Sequence, residues 1–114
     1  MENSILNDIK DAVGVSPDDT VFDGEIMMHI NSAFFILCQL GVGPEKPFTI
    51  TGAEDTWNDF SMDFDRIALV KTYMQLKVKV LFDPPTSSQL MTSLNEQIHE
   101  YEWRLSIDQD NDYR

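Results

Sequence analysis

The sequence predicts an all-α fold: a small bundle of about four helices, with a Pro-Pro elbow between the last two and an irregular loop at 42–60. Three observations predict it. Two long stretches, roughly Met62 to Phe82 and Ser87 to Ile107, carry apolar residues at helical spacing on either side of Asp83-Pro84-Pro85-Thr86. A third such stretch runs up to Leu40 and is stopped by Gly41. At 114 residues and 42% hydrophobic, the chain suits one domain with a modest core.

The first element is a short amphipathic helix over Ser4 to Val13, through Ile5, Leu6, Ile9 and Val13, with Gly14 placed to end it. Ser16-Pro17-Asp18-Asp19-Thr20 is a turn that sets acids near the positive end of a second helix. The core stripe of that helix reads Phe22, Ile26, Ile30, Ala33, Leu37 and Leu40. Its segment 33–38 is apolar nearly all round, which a four-helix chain has difficulty burying alone. Met28 and Phe35 face away from the stripe and suit either a subunit contact or burial inside the monomer.

Gly41, Gly43, Pro44 and Pro47 then break helix, and Phe48-Thr49-Ile50-Thr51 alternates like a short strand ended by Gly52. In Glu54 to Phe60, acids flank Trp57 and Phe60. These rings either anchor the loop on the core or meet a partner.

On the next helix, Ile67, Val70, Met74, Val78 and Leu81 form one stripe, and Leu69, Tyr73, Leu76 and Val80 a second. Arg66 and Lys77 sit between the stripes, positioned to snorkel or to meet a carboxylate of another element or subunit. Pro84 and Pro85 forbid a continuous helix, and Thr86 and Ser87 are good N-caps for the next. The last helix turns Leu90, Met91, Leu94, Ile98, Tyr101 and Leu105 inward. Glu100 and Arg104 form an i,i+4 pair. Trp103 and Ile107 fall on the opposite face, near Glu96 and His99, where a Trp–Ile pair invites a partner. The domain is read as 1–107, with 108–114 as an acidic, mobile tail.

The formal charge is −12 and uneven. Residues 1–65 carry 13 acids and 2 lysines, whereas 66–107 carry 4 acids and 5 bases. Binding nucleic acid by neutralising phosphates is not expected, although such a surface could border DNA without holding it. No apolar run is long enough for a membrane span and no signal-peptide pattern opens the chain, so no membrane partner is expected. A single cysteine, Cys38, excludes an intrachain disulfide and fits synthesis in a reducing cytoplasm.

Catalytic and metal chemistry finds little support. Asp108-Gln109-Asp110-Asn111-Asp112 opens like an EF-hand loop, but Tyr113 stands where glycine is needed and no bidentate Glu follows. Asp59, Asp63 and Asp65 read as favourable charge at a helix start. His29 and His99 have no evident nucleophile partner, and Gly41-Val42-Gly43 completes no phosphate loop. The reading is of a non-enzyme with no cofactor and no metal.

The run Tyr73 to Ser88, helix then Pro84-Pro85 then Thr86-Ser87-Ser88, followed by Asn95-Glu96-Gln97-Ile98 and Tyr101-Glu102-Trp103-Arg104-Leu105, resembles the head–tail connector (adaptor) proteins of long-tailed bacteriophages. Ile30-Asn31-Ser32, Leu40-Gly41-Val42-Gly43 and Thr56-Trp57-Asn58-Asp59-Phe60 resemble the same family. The resemblance implies a structural protein of the virion neck. Such a subunit would assemble as a ring, expected to be dodecameric, beneath the portal protein. The ring would extend the DNA channel and meet the next neck or tail-completion protein, with DNA passing unbound. On that reading Met28, Phe35, Trp57, Arg66, Lys77, Trp103 and Ile107 are candidate subunit or portal contacts. The alternative from another class is an acidic DNA-mimic or anti-repressor that binds a basic DNA-binding partner.

Overall fold

A computed structural model describes residues 4–61 and 64–111. Within them lie five α-helices and no strand: α1 (Ile5–Ala12), α2 (Asp23–Gln39), α3 (Trp57–Phe60), α4 (Phe64–Phe82) and α5 (Ser88–Asn111). α4 is the central element. It packs against α1, α2 and α5, and the molecule is a thin slab of 44 × 36 × 20 Å.

α1 starts at Ser4, whose hydroxyl accepts from the Asn7 amide at 3.3 Å, and buries Ile5, Leu6 and Ile9. The Ile5 amide donates to the Asp55 carbonyl at 3.0 Å, and Ser4 forms an isolated antiparallel bridge with Thr56. Lys10 is fully buried. Its ammonium lies 2.7 Å from Asp23 Oδ1 and donates to the Pro17 carbonyl at 3.1 Å. This pair fastens α1 to the turn and to the start of α2, and it has no signal in the hydrophobic pattern.

α2 begins at Asp23 and buries Ile26, Ile30, Ala33, Phe34 and Leu37. It ends in a Schellman motif: Gly41 at φ 82° donates to the Cys38 carbonyl, and Val42 donates to that of Leu37 at 2.9 Å. Phe22, expected in the core, is instead partly exposed. It lies before the first helical turn, and its ring meets Phe82 edge-on at 5.4 Å, beside the elbow.

The loop departs from expectation in two ways. Phe48 to Thr51 forms no strand and pairs with none. Ile50 is served instead by one side chain: its amide donates to Asn31 Oδ1 at 2.8 Å, and Asn31 Nδ2 donates to its carbonyl at 3.1 Å. The second difference is α3, one helical turn built on a capping box. The Thr56 hydroxyl accepts from the Asp59 amide while the Asp59 carboxylate accepts from that of Thr56. Phe34, Phe48, Trp57 and Phe60 then pack together, with ring centroids 5.0 Å apart for Phe34 and Phe60. A Cβ on Gly43 would lie 2.5 Å from the Phe60 ring, and its φ of 90° also disfavours any side chain.

The elbow forms as expected. Ser87 caps α5 by accepting from the Leu90 amide at 3.3 Å, and Lys79 bonds Asp83 at 2.8 Å across the end of α4. α4 buries Ile67, Val70, Tyr73, Met74 and Val78. α5 packs chiefly on α4; of its described side chains it buries only Ile98 and Leu105, with Met91, Leu94 and Tyr101 half-buried. Leu90, expected inward, is 58% exposed. It stands at the tip of the elbow, where α4 is ending and Leu81 is exposed as well. The helix also runs four residues past the boundary expected at 107, to Asn111.

Candidate assembly surface

The seven candidate contact residues divide into groups. Met28 is 59% and Phe35 51% exposed on the outer face of α2. Seven residues apart, they sit two turns from each other, about 10 Å along the axis, with Ser32 between them. A polar residue at 28 or 35 would have served a solvated face better. Val21, in the turn before α2, is also exposed.

Trp103 is 64% exposed on the outer face of α5, and Ile107 is half-buried one turn on. Beside them Arg104 bonds Glu100 at 2.8 Å, which cancels one charge of each sign. Arg66 and Lys77 are half-buried on α4, and Arg66 is already engaged within the chain.

Trp57 is a correction. It is 1% exposed and belongs to the core rather than to a surface. α3 turns the indole inward beside Phe34, and its Nε1–H donates to Asp8 Oδ2 at 2.8 Å. The Lys71 ammonium sits 5.6 Å over the ring and 3.9 Å from the same carboxylate. The acids around Trp57 in the sequence thus supply a capping residue and loop ties. Asp55 Oδ2, for instance, accepts from the Thr51 amide at 2.8 Å.

Side-chain chemistry elsewhere is structural. Tyr73, buried between α4 and α5, donates its hydroxyl to Glu102 Oε2 at 2.9 Å. Burial raises its pKa far above the ordinary phenol value, helped by the hydrogen bond to Glu102 and by that carboxylate's charge. His29 lies 3.6 Å from Glu25 on one helix face. The Cys38 thiol donates to the Glu45 carbonyl at 3.4 Å. Among the described residues no group of His, Cys, Asp and Glu could hold a metal ion. The acidic side chains from 108 onward, with their partial resemblance to a calcium loop, lie outside the described residues. Among the described residues, no helix is long and apolar enough to cross a membrane.

Large hydrophobic side chains thus stand exposed on the outer faces of α2 and α5 of a small acidic helical subunit. Comparison with known families agrees with that geometry. The family model described as phage connector protein matches residues 5–112, nearly the whole chain. The chain belongs to the phage connector family. Membership gives the connector a structural role and makes it a component of the phage particle. No curated protein and no solved structure matches the connector. The matched span runs from the first residue of α1 to the end of α5, so the loop and the elbow both lie within it.

Proposed function

We propose that this connector forms a ring in the virion neck, beneath the portal protein, and extends the channel through which DNA leaves the head. The family match over residues 5–112 carries the reading. The structure supports it with what a ring subunit needs: exposed large hydrophobics on two elements and a stable core that leaves them free. The ring is dodecameric in the particle and its far side receives the next neck or tail-completion protein. Met28, Phe35, Trp103 and Ile107 belong to its contacts.

The charge suits a channel lining. Each copy contributes −12, and a wall of like charge repels the phosphate backbone, so DNA slides past without adhering. An acidic mimic of DNA would draw on the same charge, but the connector match and the apolar faces favour assembly.

Immunogold labelling of intact particles tests the location. Gold at the head–tail junction is expected. Gold on the capsid face or tail tip, or no protein in purified particles, overturns the proposal.

A further inference from the structure

α5 joins the rest of the molecule chiefly through α4, and its burial is sparse. α1 buries four of its 8 residues and α2 five of its 17. Of the residues of α5 whose side chains are described, 88–107, Ile98 and Leu105 alone are buried. Segments with few buried apolar side chains are the ones that open below the free energy of global unfolding.

The remainder of the subunit is held without α5. Asn31 brackets Ile50 with two hydrogen bonds, Lys10 pairs with Asp23, and the Trp57 indole bonds Asp8. Lys71 ties α4 to the same Asp8 carboxylate at 3.9 Å. The rings of Phe34, Phe48, Trp57 and Phe60 pack against one another. No residue of α5 takes part in any of these contacts, so lifting it leaves them in place.

The joint between the two parts is short and its ends are self-contained. The Asp83 amide donates back to the Lys79 carbonyl, and the Met91 amide to that of Ser87, so each of these bonds stays within one arm. Pro84 and Pro85 between them have no amide donor to break when the angle changes. One polar contact spans the two arms near the middle of α4, where the Tyr73 hydroxyl donates to Glu102 Oε2 at 2.9 Å.

We propose that α5 is a hinged arm: it lifts from α4 as one cooperative unit, turning at Pro84-Pro85 and releasing the Tyr73–Glu102 bond, while the α1–α4 body stays folded. Hinges of this kind sit at element ends and let a neighbouring element turn as a rigid piece. The arm is a property of the free subunit, whatever its location in the particle. It gives the connector a C-terminal helix that can be re-aimed without unfolding the subunit that carries it.

Native-state hydrogen exchange, read residue by residue by NMR over a series of low denaturant concentrations, tests the arm on the full-length chain. Amides 92–105 of wild type are expected to share one opening free energy and to exchange at least tenfold faster than the slowest amides of α2 and α4. Their rates should also rise less steeply with denaturant, because opening the arm exposes less surface than unfolding the whole chain. Ile30→Val separates the two routes. It weakens the body alone, so it should speed the slowest α2 and α4 amides several-fold and leave amides 92–105 unchanged. Equal acceleration of α5 would show that the helix exchanges only through global unfolding and would overturn the proposal. So would wild-type α5 amides with the same protection and denaturant slope as α2. A rate that climbs steadily towards residue 105, with no common value, would mean end-fraying instead of a hinged arm.

Discussion

At the scale of single residues, Tyr73 is the most consequential polar group in the core. It is fully buried, yet its hydroxyl reaches the half-buried Glu102 and so joins α4 to α5. Tyr73→Phe is expected to lower stability by about 1 kcal/mol at neutral pH, read by denaturant unfolding. The pH dependence has a definite sign. Because the folded-state pKa is raised above the ordinary 10.0, the native state keeps the phenol proton longer than the unfolded chain does. The stabilisation is therefore complete below about pH 10 and is lost as pH rises beyond it. The gap between wild type and Tyr73→Phe should close as alkali is added, and an unchanged gap up to pH 11 would contradict this. None of this was visible in the sequence, where Tyr73 counted only as one member of an apolar stripe. Lys10 and Asp23 escaped for the same reason. Periodicity places a residue on a face but says nothing of which polar groups meet across chain turns.

Among the elements, α5 buries few side chains for its length. It spans 24 residues, and of its described side chains only those of Ile98 and Leu105 are completely buried. Leu105→Ala should cost roughly 2–5 kcal/mol, whereas Trp103→Ala, two residues away, should leave the melting temperature almost unchanged. Thermal unfolding of both decides the matter, and equal losses would mean that the helix faces have been misassigned. Leu94, half-buried, should fall between them. The helices themselves were legible because Pro84-Pro85, Gly14 and Gly41 punctuate strongly periodic segments. The Trp57 region was not, since α3 is a single turn whose Thr56–Asp59 capping box has Asp in place of the more usual Glu. The Phe48–Thr51 alternation misled in a physical way. Its one buried backbone ladder position, at Ile50, is satisfied by Asn31 instead of by a strand.

For the whole molecule, charge is the dominant variable. At −12 on a slab 20 Å thick, the folded chain repels itself more than the unfolded one does. Raising sodium chloride from about 0.01 M to about 0.5 M should raise the melting temperature by several degrees, since screening removes that repulsion. The buried Lys10–Asp23 pair is shielded from salt and should not offset the gain. A flat or falling melting temperature would show that local ion pairs outweigh the global field. The acidic balance and the outward Met28, Phe35 and Trp103 could all be read from the sequence. Where those residues sit relative to one another could not, because it depends on how α2 and α5 are arrayed around α4.

Cys38 gives the molecule a built-in chemical reporter. Its thiol is the only one in the chain, is half-buried, and donates to the Glu45 carbonyl, so a maleimide should react faster when the neighbouring loop lifts away. Labelling kinetics then read loop opening directly, without any engineered probe. Gly43→Ala, which pushes a methyl group into the Phe60 ring, should speed the reaction several-fold at a temperature where the helices remain intact. An unchanged rate would mean that the loop opens independently of its aromatic anchor. The same reagent, applied before and after assembly, would show whether assembly slows the opening of the loop.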